Sequence, residues 1–434
     1  MKRYWKAFTI LTFGFLLLFG WDINPWASAT VPGVYGLINS DSSGSQGNAS
    51  GNSPFLSGDG RYVAFSSGAT NLVSNDINGY SDVFVKDNQT GVTTLVSEAS
   101  NGTQGDNTSF DPGISYGGRY VVFTSYADNL VSGTSGPQIF MHDMQTGDTT
   151  LVSASSSGTP GNNNSDYPSV SADGRFVVFQ SYATNLVSGV SSGTDEIYEK
   201  DISTGSIKLL SKNSSGVQAD QNSAPPRISC DGGVVAFESP ATNLGGYDSS
   251  HPHNVYIDVL SGGDNALTNI TASANSSADD HIDVSCNGND VVYASDASNL
   301  VSGDSNNTQD VFEYNRLTGD NTIASVESDG TQLSSNSYAE WPVVSDDGRF
   351  IAFYTDGSSG YLDSHALTSQ GGVYIHDMKE GSTQALFVRS DGVAMGSTTY
   401  PEMSADGSLV IVKTDSSLVS GASGTDLVSS KTGY

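Results

Sequence analysis

Two segments carry oxygen ligands at a spacing that suits a hard cation. Asp76-x-Asn78-Gly79-x-x-Asp82 and Asp304-x-Asn306-Asn307-x-x-Asp310 alternate side-chain oxygens and end on a further carboxylate, which is donor chemistry for calcium. Both lack the bidentate Glu of an EF-hand loop, and Asx-rich loops also satisfy their own backbone, so a plain turn is the alternative. Gly189-Val190-Ser191-Ser192-Gly193 spells a nucleophile elbow. That motif works only on a sharp strand-to-helix turn, and here it lies in a Ser/Gly-rich loop with no helical pattern behind it. His251-Pro252-His253 offers two imidazoles and no further ligand to complete a zinc set; it reads as an exposed loop. Tyr167, His281, Trp341 and Tyr400 recur at one position of a repeated unit. They are the candidate ligand-binding residues, able to stack on a sugar ring or grip a peptide, with gap-filling between units as the alternative.

What must position these groups is a repeat of the form P-x-h-S-x-D-G-x-x-V-x-F. Its serine falls at Ser57, Ser115, Ser171, Ser229, Ser285, Ser345 and Ser404, at spacings of 58, 56, 58, 56, 60 and 59. Eight residues after each serine stands Phe65, Phe123, Phe179, Phe237, Tyr293, Phe353 or Val412, a packing position. A second apolar run and a turn follow in each unit, as in DVFVKDNQTG and QIFMHDMQTG, and then a short run such as TTLVS. The Asp of that turn, as at Asp87, Asp143, Asp201, Asp258 and Asp377, reads as a residue that hydrogen-bonds its own backbone. Four strands per unit make a propeller blade. Proline three residues before the serine, at Pro54, Pro112, Pro168, Pro226, Pro342 and Pro401, suits the first strand to the innermost place, because proline cannot donate to a ladder.

The seventh unit stops after 31 residues, and residues 31–56 supply 26 more that resemble the end of a unit. The expected fold is therefore all-β: a seven-bladed β-propeller of four-stranded antiparallel blades. The N-terminal strand near Val34–Ser40 completes the last blade and removes two exposed sheet edges. In each meander the link between the second and third strands and the link to the next blade emerge on one face. These links are long and polar, and binding tends to reside in such loops.

The S-x-D-G-x-x-V-A-F and D-V-F-V-x-D-x-x-T-G signatures resemble the TolB-like (WD40-like, PD40) propeller repeat of exported bacterial proteins, over residues 31–434. The chain departs from TolB in three respects: it has seven units instead of six, no preceding α/β domain, and no proline after the anchoring serine. TolB's envelope partner does not carry over.

Lys2, Arg3 and Lys6 precede an apolar run from Ala7 to Trp21, and Ala27-Ser28-Ala29 offers a cleavage site. Residues 1–29 are read as a signal peptide and 30–434 as a single domain, exported to the periplasm, cell surface or medium. There Cys230 and Cys286, the only cysteines, sit one residue after successive anchoring serines and can pair as a disulfide if their Cα atoms come within about 4.4–6.8 Å. The formal charge of −30, from 17 Lys+Arg against 47 Asp+Glu, excludes nucleic-acid and anionic-membrane partners. With no recognisable nucleophile, base and orienting group, the expected function is a non-catalytic binding or scaffold module. It would be monomeric, with a polysaccharide or protein ligand on the long-loop face. The alternative is an extracellular polymer-degrading enzyme, a glycosidase or lyase, with carboxylates at the channel mouth.

Overall fold

The computed structural model describes residues 36–432 apart from 192, 247–251, 261–265, 335–336, 357–370, 388–397 and 415–425. The proposed signal peptide and His251 lie outside the described residues. Seven four-stranded antiparallel sheets follow one another along the chain. In blade one the strands are Gly51–Leu56, Tyr62–Ser67, Asp82–Asp87 and Thr93–Leu95, innermost first.

The repeated residues explain the repeated shape. Ser57 is buried; its hydroxyl accepts the Tyr62 amide at 2.9 Å and donates to Asp59 at 2.6 Å. Gly60, at φ 70°, takes the left-handed position of that turn. Arg61 reaches across to Asp87 at 2.8 Å, while Asp87 Oδ1 accepts the Gln89 amide. One Arg therefore ties the two tight turns of the blade together, and Arg119–Asp143, Arg175–Asp201 and Arg349–Asp377 repeat it. Inside the sheet the Phe65 and Phe84 rings stack at 5.8 Å, and Phe123–Phe140, Phe179–Tyr198 and Phe237–Tyr256 do the same.

The N-terminal strand closes the ring. Its described part, Gly36–Leu37, pairs Gly36 with Ser429 and Leu37 with Val428 and ends before the expected Ser40. Two further devices hold it: Ile38 is buried against Ile411 and Leu427, and Asn39 bonds Asp426 and the Leu427 amide.

Candidate functional site: the upper channel

The inner strands build two rings of side chains. The first belongs to the residues just before the prolines. In blade one the pairing jumps from Asn52↔Ser66 to Phe55↔Ala64, a bulge that leaves Ser53 out of the ladder. Ser53, Asp111, Tyr167, Trp341 and Tyr400 all adopt positive φ, between 44° and 54°. That is an unfavourable conformation for non-glycine residues, and it aims all five side chains at one cavity of about 960 Å³.

The second ring lies two residues further down each strand: Phe55, Gly113, Ser169, Arg227, Asp283, Val343 and Glu402. Arg227, from blade four, crosses the channel. Its Nη2 lies 3.8 Å from Glu402 Oε1 in blade seven and its Nε 4.0 Å from Asp283 Oδ1 in blade five. The guanidinium carbon sits 5.1 Å from the Phe55 ring centre in blade one. Burial pushes the Glu402 carboxyl up to about 8; Arg227 opposes the shift and the Asp283 charge adds to it. Burial also raises Asp283, whose Oδ2 accepts the Val344 amide at 3.0 Å. Lys413 reaches Asn52 Oδ1 at 2.9 Å on the same wall.

A third group enters from blade four. His253 Nδ1 lies 2.6 Å from Glu238 Oε1; the carboxylate is buried and the imidazole 49% exposed, and both line the cavity. A buried carboxylate that fixes one ring nitrogen orients the other for proton transfer. His253 lies in an exposed loop, as expected, and that loop carries it to Glu238.

Below Arg227 lie the residues that follow the anchoring serines. They hydrogen-bond from blade to blade: Ala172 to Cys230, Cys230 to Cys286, Asp346 to Ala405, and Ala405 to Gly58, at 2.8–3.0 Å. Cys230 and Cys286 are disulfide-bonded across this belt, with Cα atoms 4.5 Å apart. None of the belt residues lines the cavity.

Of the four candidate ligand-binding residues, three meet. Trp341 and Tyr400 stack at 4.4 Å, and His281 meets Trp341 edge-on at 5.8 Å. Tyr167 lines the cavity from blade three. Tyr167 and Tyr400 are each 47% exposed.

The two candidate metal loops are braced by amides. Gln104 Nε2 donates to Asp76 at 2.9 Å and to Asp82 at 2.8 Å, and its Oε1 accepts the Ile77 amide. Asn78 turns its Nδ2 to the Gly105 carbonyl. In blade five Asn306 donates to Asp310 at 2.8 Å, and Ser325 takes the other oxygen. Blade three repeats the brace with Gln218 and Glu196, where Val190 replaces the first aspartate. One oxygen each of Asp76 and Asp304 is buried without a donor. The amides engage the neighbouring carboxylates, the orphaned Asp76 and Asp304 oxygens are available to a cation, and nothing in the geometry selects calcium among cations. Ser191, in the elbow-like segment, bonds Gln218 through its amide.

Arg227, Asp283, Glu402 and the Glu238–His253 pair are absent from the sequence reading. The second-ring column, read as F, G, S, R, D, V, E down the seven repeats, was the available signal. It puts three charged residues beside an uncharged anchoring serine on the innermost strand.

No family model and no curated protein sequence matches the chain. Solved structures do match. An oligogalacturonate lyase in complex with manganese superposes with TM-score 0.52 and 13% identity, over 91% of this chain and 89% of that one. Oligogalacturonate lyase from Vibrio parahaemolyticus gives 0.53 and 14%, over 88% and 91%. The β-propeller domain of the Trilobed protease from Pyrococcus furiosus gives 0.52 and 9%, over 88% and 95%. At these identities the likeness is one of fold, and it defines the chain as a seven-bladed propeller. TolB from Acinetobacter baumannii matches at 0.38 over 67% of this chain, which adds no weight to the repeat resemblance.

These matches correct the expectation of a non-catalytic binding module. A protein matched over 89% of its own length by this propeller is itself described as a lyase, and the expectation rested on the want of a base with an orienting partner, whereas His253 and Glu238 pair at 2.6 Å.

Proposed function

We propose that this chain is an exported enzyme that cleaves a polysaccharide in its upper channel, by elimination or hydrolysis. The observation that carries the proposal is a convergence in one cavity: an imidazole braced by a buried carboxylate, a carboxyl whose pKa of about 8 keeps it protonated at neutral pH, and a guanidinium. His253 would take a proton, from the carbon beside a uronate carboxylate in elimination or from water in hydrolysis. Glu402 would give one to the departing glycosidic oxygen. Arg227 would stabilise the negative charge that develops between them.

The oligogalacturonate lyases among the matched structures favour testing elimination first. The formal charge of −30 opposes an anionic substrate, and Arg227 and Lys413 offset it locally. Among the described residues the one group of three close metal-ligating side chains is Cys230, Cys286 and Asp346, two of them disulfide-bonded. The interblade disulfide and the leader-like residues 1–29 support export.

The test is incubation of the purified chain with pectic and neutral polysaccharides. Ultraviolet absorbance reports unsaturated products of elimination, and new reducing ends report either reaction. Glu402→Gln and His253→Ala should each lower turnover by about a hundredfold or more. Failure of the wild-type chain to cleave any polymer in the panel would overturn the proposal.

A further inference from the structure

One position on the third strand carries a cation in some blades and an acid in another. In blade one it is Lys86, whose buried ammonium donates to the Ser40 and Asp41 carbonyls of the link entering that blade, at 3.2 and 3.0 Å, and to the Ser40 and Thr93 hydroxyls. In blade three Lys200 does the same with the Ala154, Ser155 and Gly205 carbonyls, at 2.8–3.2 Å. Blades two and six place His142 and His376 there. Each ring meets a threonine, Thr149 or Thr383, whose hydroxyl donates to the link carbonyl of Glu98 or Val326. These links thus present carbonyl oxygens to a donor from the next blade, which offsets the cost of burying them.

Blade four departs from this pattern. Val259 pairs with Val234 as Asp87 pairs with Tyr62, so Asp258 is not the self-bonding turn residue that the sequence suggests and instead holds the place of Lys86 and Lys200. It is fully buried, and neither of its carboxylate oxygens has a donor among the described residues. The link entering blade four runs through Lys212 and Asn213; its bridge Lys212↔Gln218 matches Ser40↔Gln46 and Ala154↔Pro160. Carbonyls that elsewhere meet an ammonium therefore meet a carboxylate, acceptor against acceptor. Burial raises the Asp258 carboxyl to about 6; Lys208 and Lys212 oppose the shift and Glu199 adds to it. Lys208 is itself paired with Glu199 at 2.9 Å.

We propose that a monovalent cation of ammonium size, potassium or ammonium itself, binds between blades three and four, held by the Asp258 carboxylate and the Lys212 and Asn213 carbonyls where Lys86 and Lys200 put their ammonium groups. The size follows from the repeat. Oxygens around the two lysine ammonium groups stand 2.8–3.2 Å away, wider than the roughly 2.3–2.6 Å of calcium or 2.0–2.1 Å of magnesium. Carbonyl oxygens are also the ligands that replace the hydration shell of potassium in channel filters. The charge follows from the single unpaired carboxylate: one positive charge balances it, whereas a divalent ion would leave an excess beside Lys208 and Lys212. Asp258 does not line the upper cavity, so this site is independent of the polysaccharide reading.

The test reads cation dependence in the full chain. Thermal unfolding is followed at about pH 8, where the Asp258 carboxyl is ionised, in potassium, ammonium, sodium, calcium and tetramethylammonium chlorides at matched ionic strength. Potassium and ammonium should raise Tm above its value in tetramethylammonium, by about 2 °C at roughly ten times the dissociation constant. Asp258→Asn, which offers the carbonyls an amide donor, should abolish the rise. Asp258→Lys, which copies blades one and three, should abolish it too. Crystals soaked in rubidium chloride should show an anomalous peak beside Asp258; that peak and Asp258→Asn decide the matter if Asp258→Lys does not fold. The same Tm in every salt would mean that a proton or the Lys212 ammonium fills the place, and would overturn the proposal. A rise confined to sodium or calcium, a rise that survives Asp258→Asn, or a map without the rubidium peak would overturn it as well.

Discussion

Replacing Glu402 by Gln tests the channel floor without changing its shape. The folded protein holds this proton more tightly than the unfolded chain, because the pKa rises from 4.5 to about 8. Between those values the native state binds more protons, so stability from this group is fully present below about pH 4.5 and is lost as pH rises through about 8. At about 1.4 kcal/mol per pKa unit the ceiling is roughly 5 kcal/mol. The side chain is 17% exposed, so water reaches it and discounts the ceiling; about 2 kcal/mol is the working figure. Gln has no proton to lose. Relative to wild type, the variant should gain about 2 kcal/mol between roughly pH 5 and pH 8. With an unfolding entropy of about 0.8 kcal/mol per kelvin for a chain of this size, that is a relative rise in Tm of about 2 °C. Thermal and urea unfolding of both proteins at the two pH values gives the difference of differences, in which buried carboxyls remote from Glu402 cancel and the contribution of its partner Asp283 is included. Parallel pH profiles would show that Glu402 ionises normally and would remove it as the acid.

Three further outcomes follow from the fold. Ile38→Ala removes a buried side chain from the closing strand and should cost about 2–4 kcal/mol in urea unfolding; a cost below about 1 kcal/mol would mean that closure contributes little stability. Ser53→Gly releases an unfavourable φ of 44° at the sacrifice of one exposed hydrogen bond to Asp111, and should raise stability by about 1 kcal/mol; a lower Tm would show that the bulge is unstrained. Chelation should leave Tm unchanged, because Gln104 already bridges Asp76 and Asp82; a fall reversed by calcium would show that the amide yields to an ion.

The fold was legible in the sequence because propeller packing repeats. The serine that caps each turn, the aromatic residue eight positions on, and the proline on the inner strand recur in nearly every blade, since each blade solves the same packing problem against its neighbours. The closing strand was legible for the same reason, as the missing piece of a unit; its end at Leu37, short of Ser40, was not, because Ile38 and Asn39 do by burial and side-chain bonding what a longer ladder would do there. The site was legible only at its rim. Trp341, Tyr400 and His281 stood out as aromatic residues in a column, but Arg227 and Glu402 are 175 positions apart, and nothing local joins them. A comparison that seeks what repeats passes over such residues, because a site needs different side chains from different blades. Glu238 was hidden differently. It lies within a strand, and only the approach of His253 from the following loop gives its carboxylate a purpose.

The strained bulge belongs to the architecture and not to the chemistry. Positive φ before proline occurs at Ser53 and Asp111 in nearly the same degree as at Trp341 and Tyr400, although the first two carry no ring. If strain were stored for catalysis, it would be confined to blades that contribute reacting groups, and it is not. The bulge, seen in six of the seven inner strand pairs and not in blade four, turns one side chain into the channel whatever that side chain is, and the proline beside it, replaced by Ile282 in blade five, removes a donor that the distorted ladder could not satisfy. Function then depends on which residue each blade places on a common bracket. The stacked rings Trp341 and Tyr400 fall in blades six and seven, with His281 in blade five, on the side where Glu402 lies; Tyr167 stands apart in blade three, and the guanidinium crosses from blade four to Glu402. A substitution that changes the bracket, such as Ser53→Gly, should therefore move stability and leave turnover in place, whereas one that changes what hangs on it, such as Trp341→Ala, should lower substrate affinity several-fold with little effect on unfolding.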